Sequence, residues 1–379
     1  MNADFTPLLV GILVFAASLI SLRLGLSVAI IEILLGAIAG NLGLKTEEWM
    51  QYLATFGGII LTFLAGTEID TKMMRESMKE SLLIGGFSFI APFIAVGGIA
   101  YFALHWDGRA SLIAGIALST TSLAVVYSVL VESGLSDTRI GKLLMSSTFI
   151  TDMGTALTLS ALFVKPTLFT VLFYVVSVVV IVLASMFSHY LFNNGIFRNK
   201  VVESEIKYIF LLLLILIFFA NLGEGHAVLP AFVLGLCMSK YFGKQSEHHL
   251  VIKRLRTVAY AIITPVFFIV GGLRISFPLI VASLGLFLLL FTLKIAAKFV
   301  GVFFLAKKYI PHGSMYTTLL MSTGLTFGTI SSLFGLQAGI ISQSQYSILV
   351  GVVVASAVIP TFIAQKWFMP KEDEDILEE

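Results

Sequence analysis

The sequence predicts an all-α integral membrane protein with about thirteen transmembrane helices, and three observations carry that reading. Of 379 residues, 58% are hydrophobic and 12% charged, with a mean hydropathy of +0.99; a soluble domain carries about twice that charged fraction. Stretches nearly free of charge, such as 167–189 and 206–221, follow one another along the chain, and about 20 apolar residues suffice to cross the hydrocarbon core. Finally, the Lys and Arg residues segregate to alternate loops.

Charges and turn residues cut the chain into apolar segments at 5–22, 27–43, 50–68, 80–104, 109–132, 138–163, 167–193, 205–222, 227–243, 254–273, 277–305, 313–336 and 343–368. No basic region and no small-residue cleavage site precede the first, so it is expected to be a retained span rather than a signal peptide. Residues 371–379 form a short acidic tail. With the N-terminus outside, 18 Lys and Arg residues fall on the cytoplasmic side. Lys45, Arg109, Lys165 and Arg274 fall outside, while Lys294 and Lys298 remain within a span and complete the 24. This is the bias of the positive-inside rule, and it places the C-terminus inside.

Thirteen spans divide as six, one and six, which makes the second half an inverted copy of the first; inverted repeats with broken helices mark secondary transporters. The fifth span of each half is interrupted at mid-depth. Ser119, Thr120, Thr121 and Ser122 interrupt the first; Ser322, Thr323, Gly324, Leu325, Thr326, Phe327 and Gly328 interrupt the second. Small and polar residues also serve close helix packing, but their matching repeat positions favour two unwound segments.

Ionisable groups within spans are expensive and mark functional sites. Asp152 lies near the middle of the sixth span; Lys294 and Lys298 lie deep in the eleventh, on one helical face. Glu32 lies near the start of the second span and reads as structural, and Glu68 and Asp70 close the third near the cytoplasmic interface. Removing a carboxylate from water penalises its charged form, and an adjacent cation offsets that penalty, so Asp152 is suited to exchange a proton for an alkali cation. Thr148, Thr151 and Thr155 share its helix, and carbonyls freed at an unwound Thr120–Thr121 would add neutral oxygen ligands. Asp152 paired permanently with Lys294 or Lys298 is the structural alternative.

Other chemistries find no support. Cys237 is the only cysteine, so neither an internal disulfide nor a thiolate cluster can form. No phosphate-binding glycine loop marks a nucleotide-driven pump. No basic tract with interleaved aromatics points to nucleic acid, and no cofactor is expected. His226 beside Glu224, and the pair His248–His249, read as loop residues. The run Lys253, Arg254, Arg256 suits anionic lipid head groups but chiefly marks the inner side.

Several segments in this order resemble the second branch of the monovalent cation:proton antiporter superfamily, which includes bacterial potassium-efflux and sodium/proton antiporters. Residues 63–70 (Phe-Leu-Ala-Gly-Thr-Glu-Ile-Asp) resemble its third-span signature and Ala117–Ser122 its unwound crossing helix. Residues 265–273 (Pro-Val-Phe-Phe-Ile-Val-Gly-Gly-Leu) and Lys298-Phe299-Val300-Gly301 match as well. The resemblance runs from about residue 10 to 365. It implies a dimerisation part at about 5–68 and 205–273, a linker helix at 167–193 and a mobile core at about 80–163 and 277–368. It implies a homodimer in the plasma membrane of a prokaryote that exchanges Na⁺ or K⁺ for H⁺ by an elevator-like movement. Asp152 falls on the family's ion-binding aspartate and Lys298 on the lysine that pairs with it. Electrogenic members carry an acidic pair or Asn-Asp here and potassium-efflux members Gln-Asp; this chain has Thr151-Asp152. A single carboxylate implies one proton per cation, hence electroneutral exchange. The nucleotide-binding regulatory domain of potassium-efflux relatives is not expected, which leaves room for a separate regulatory subunit. A gated cation channel and a sodium-coupled organic anion symporter are the rival functions.

Overall fold

The computed structural model describes residues 5–24, 28–67, 77–135, 138–163, 168–193, 204–222, 227–242 and 249–370. Among them every regular element is helical. Eight helices or near-continuous helical stretches are long and apolar enough to cross a membrane, with four shorter apolar helices beside them. Glu68, Asp70, Glu224, His226, His248 and the acidic tail lie outside the described residues.

The helices group into two compact units. The first contains α1 (Thr6–Leu24), α2 (Val28–Asn41), α4 (Met78–Phe102), α5 (Gly108–Ser119), α6 (Leu123–Glu132) and α7 (Arg139–Phe163) as far as Thr155. It resumes at Phe268 with the end of α12 (Thr264–Leu273), α13 (Phe277–Ala282), α14 (Leu284–Lys298), α15 (Phe304–Tyr309), α16 (Ser314–Met321), α17 (Thr326–Gln337) and α18 (Gln343–Trp367). The second contains α3 (Glu48–Thr67), the end of α7, α8 (Leu168–Asn193), α9 (Ser204–Leu222), α10 (Val228–Phe242) and α11 (His249–Val258). In the second unit α3 and α10 approach so closely that a Cβ on Gly66 would strike the carbonyl of Phe232, and one on Gly235 the carbonyl of Phe63. Small residues allow helices to pack this way where the surroundings are as apolar as the side chains.

Both predicted interruptions are present. The backbone unwinds at 120–122 between α5 and α6, and at 323–325 between α16 and α17. Thr120 is extended (ψ 154°), as is needed to leave α5, and Leu325 (φ −142°, ψ −73°) precedes α17. Two π-helical turns, Ala259–Ile263 and Phe299–Phe303, interrupt the tenth and eleventh apolar segments. The eleventh also bends at Ser283, between α13 and α14. An apolar cluster including Ile84, Leu130, Leu144, Val302, Tyr316 and Leu320 packs α4, α6, α7, the second π turn and α16 together in the first unit. α18 begins with a capping box, in which Ser342 Oγ accepts from Gln345 N and Gln345 Oε1 accepts from Ser342 N. That fixes where this long helix starts.

Candidate functional site

α7 is too polar to count among the eight long apolar helices, and its polar groups line up on the site. Thr148, Thr151, Asp152 and Thr155 are all buried, with Asp152 at 2% exposure. Thr151 Oγ1 donates within bond distance of Ser147 O (3.1 Å) and Gly85 O of α4 (3.2 Å), and Thr155 Oγ1 donates to Thr151 O (2.9 Å). Gly85 permits this approach, because a Cβ there would strike Ser147 O and the Ile150 side chain. A threonine hydroxyl that spends its hydrogen on the backbone still offers lone pairs, so Thr151 keeps acceptor capacity. Thr148 Oγ1 reaches Met321 Sδ at the end of α16 (3.5 Å).

The two breaks meet. Thr121 Oγ1 donates to Met321 O (2.8 Å) and Thr323 Oγ1 accepts from Ser122 N (3.4 Å). These bonds satisfy groups that an intact helix would satisfy itself, a requirement without exception in lipid. Gly324 lies where Thr120 crosses, since a Cβ there would be 2.8 Å from Thr120 Oγ1. Thr326 opens α17 and is only partly buried.

Lys294 and Lys298 are both fully buried. Lys298 Nζ donates to Ser88 Oγ (2.8 Å), Ser119 O (2.7 Å) and Thr121 Oγ1 (3.0 Å), so each of its three N–H groups finds an acceptor. Ser119 O belongs to the last turn of α5, where helix carbonyls lack intrahelical donors and cations are favoured. Lys294 Nζ donates to Ser356 Oγ of α18 (2.7 Å). The π turn that follows Lys298 brings Gly301 against Phe87 O of α4, 2.6 Å from the position a Cβ would take, holding α14 close enough for Lys298 to reach Ser88. π turns of this kind occur often at functional sites.

The structure thus gathers Asp152, Thr148, Thr151, Thr120, Thr121, Ser122, Thr323, Gly324, Lys294 and Lys298 within one unit. It adds Ser88, Ser356 and the carbonyls of Ser119 and Met321. In sequence, Ser88 and Ser356 stand alone among apolar residues; the one signal they carry is that each lies four residues before a helix-interior proline, Pro92 or Pro360.

Two broken helices that meet beside a buried carboxylate and two buried lysines define a multi-pass membrane transporter rather than an enzyme. Residues 9–368 match the family described as "Sodium/hydrogen exchanger, transmembrane", and the chain belongs to that family. It is 28% identical to the "Probable Na(+)/H(+) antiporter 3" of Methanocaldococcus jannaschii over 361 residues, covering 91% of this chain and 90% of that protein. It is 26% identical to a Na(+)/H(+) antiporter of Enterococcus hirae over 377 residues, covering 93% and 94%. Its fold is that of the sodium proton antiporter MjNhaP1 from Methanocaldococcus jannaschii, with a TM-score of 0.72 at 16% identity over 96% of this chain and 99% of that one.

Proposed function

We propose that this transporter exchanges one monovalent cation, Na⁺ or K⁺, for one proton, with Asp152 carrying each in turn. The observation that supports this most is the placement of Asp152. It is a buried carboxylate one helical turn from Thr148, which touches Met321 at the crossing. Thr148, Thr151, Thr120 and Thr121 supply neutral oxygens around the cation. Lys298 competes with the cation for Asp152, and its bonds to Ser88, Ser119 and Thr121 hold the ammonium when it yields. A bare carboxylate moving through a buried path is costly, so the site crosses loaded with either ion, and that penalty couples the two fluxes. Because Asp152 is the only carboxylate among the residues assigned to the site, exchange is electroneutral.

In this proposal the chain crosses the plasma membrane of a prokaryote thirteen times, N-terminus outside and C-terminus inside. Residues 80–163 and 277–368 move as an elevator against 5–68 and 205–273, the latter forming a homodimer contact, with 167–193 as the link.

The test is cation-induced proton movement in proteoliposomes with Na⁺, K⁺ or Li⁺, for wild type and Asp152→Asn. Proton flux that vanishes in the variant and ignores membrane potential is expected, and the most effective ion names the substrate. Rapid cation flux without proton movement would replace the exchanger with a channel or a symporter.

A further inference from the structure

The threonines of α7 around Asp152 spend their hydroxyl hydrogens differently. Thr151 and Thr155 donate to carbonyls four residues earlier on their own helix, at Ser147 and Thr151, the usual recourse of a hydroxyl inside a helix. Thr148, one turn before Asp152 on the same face, does not. Among the described residues its hydroxyl has one partner, Met321 Sδ at 3.5 Å, although a thioether is a weak acceptor. Both side chains are fully buried. Two features hold the sulfur where it is. Met321 ends α16, so its carbonyl has lost its intrahelical donor to the second break, and Thr121 Oγ1 of the first break donates to it instead (2.8 Å). Met321 also belongs to the apolar cluster that includes Leu144, Tyr316 and Leu320, which limits where its side chain can turn.

We propose that Met321 is a positioning residue of the cation site: its sulfur takes the hydroxyl hydrogen of Thr148, so that this threonine meets the cation with lone pairs only. The inference rests on Asp152 being the exchange site with Thr148 among its neutral ligands, and adds how that ligand is oriented. A hydroxyl has one hydrogen and two lone pairs. A hydrogen committed to Met321 neither points at the cation nor competes with it for the carboxylate of Asp152. Without the sulfur, the hydrogen falls back on the carbonyl of Leu144, four residues earlier, or turns to Asp152. Either choice turns the lone pairs away from the cation or occupies its carboxylate. The sulfur is not itself a ligand here, since thioethers suit soft metals and hard cations take oxygen.

Met321→Leu removes the sulfur and nearly keeps the volume, a swap that buried cores tolerate; Thr148→Val removes the hydroxyl that the sulfur holds. Both singles and the double variant are measured with Na⁺ and with K⁺. The readouts are KM and kcat in proteoliposomes, and the Kd of the purified full chain from its cation-dependent thermal shift. For the ion that wild type exchanges, each single variant is expected to raise KM and Kd about two- to tenfold, the range of one hydrogen bond, with kcat within about twofold of wild type. In the Thr148→Val background, Met321→Leu should raise Kd no further, because it acts through that hydroxyl. A merely structural role for Met321 predicts the same rise with and without the hydroxyl. An unchanged Kd in Met321→Leu, or an equal rise in both backgrounds, overturns the assignment. If Met321→Leu does not fold, an unchanged Kd in Thr148→Val overturns it alone. Asp152→Asn separates the two claims. If it binds the cation as wild type does, the exchange-site reading fails; if it loses the cation while Met321→Leu and Thr148→Val leave Kd unchanged, only the role of Met321 fails.

Discussion

Gly324→Ala inserts one methyl group between the second break and Lys294. Its Cβ would stand 2.5 Å from Lys294 Nζ, 2.8 Å from Thr120 Oγ1 and 3.1 Å from Thr120 O. Favourable contacts between heavy atoms lie near 3.5 Å, so the amine has to retreat by about 1 Å. If that retreat loses the 2.7 Å bond to Ser356 Oγ, a buried polar group left unsatisfied costs about 1–3 kcal/mol. If the amine stays, overpacking costs about 1–3 kcal/mol instead. Gly324 is not among the glycines with positive φ, so alanine meets no backbone penalty and the contact alone is tested. A loss of this size at the crossing corresponds to about 10–100-fold in exchange rate, provided the misplaced crossing is what turnover depends on. Proton flux in proteoliposomes is the assay, normalised to folded protein by size-exclusion chromatography and melting. Combining Gly324→Ala with Lys294→Ala removes the obstructing amine and should restore part of the rate, with a coupling of about 1 kcal/mol or more. Turnover within about twofold of wild type in a folded Gly324→Ala protein, or strict additivity in the double variant, would refute the close approach of Lys294 to the break.

Three further outcomes follow from the same geometry. Thr121→Val deletes both an acceptor for Lys298 and the donor to Met321 O; each orphaned partner costs about 1–3 kcal/mol, and exchange in proteoliposomes should fall at least tenfold with protein yield retained. Gly235→Val drives a side chain into the carbonyl of Phe63, so α3 and α10 have to separate and the melting temperature should drop by several degrees or the protein fail to accumulate. Tyr346→Phe leaves Gly271 O without its 2.8 Å bond from the hydroxyl, at a cost of about 1–3 kcal/mol; melting should fall by a few degrees while the KM for the cation stays at its wild-type value.

What is legible in the sequence follows from what membranes punish. A charge in a span is expensive wherever it sits, so Asp152, Lys294 and Lys298 stand out from their position in the chain alone. Runs of Ser, Thr and Gly in place of Leu, Ile and Val mark 119–122 and 322–328, and the backbone unwinds within both. Ser88 and Ser356 carry no such penalty. A lone serine can bond its own helix, and its use as a lysine's seat depends on which helices α14 packs between, a tertiary fact. The π turns at Ala259–Ile263 and Phe299–Phe303 are equally silent, because a one-residue change in hydrogen-bond register leaves the apolar pattern intact. The bend at Ser283 hides for the same reason. Lys298 is legible as an ionisable group but not as the cap of α5, since that role needs the carbonyl of Ser119 to face it.

Several departures from regular helix fall within the first unit, and they are mutually dependent. Pro92 and Pro360 each remove a donor, two breaks expose helix ends, and a π turn shifts α14 against α4. Alone, any of these would leave polar backbone without a partner in an apolar medium. Together they supply one another: Lys298 serves the end of α5 through Ser119 O, Thr121 serves the end of α16 through Met321 O, and serines at the proline steps accept from both lysine side chains. A cation entering such a network cannot simply be added to it. In the proposed cycle it replaces bonds already made, which keeps its net affinity modest although many oxygens are near. In the proposed cycle the proton and the cation are then alternatives for the same carboxylate because the surrounding bonds close again around either one, and a variant that removes a bond without removing Asp152 should change rate and affinity before it changes the one-for-one exchange.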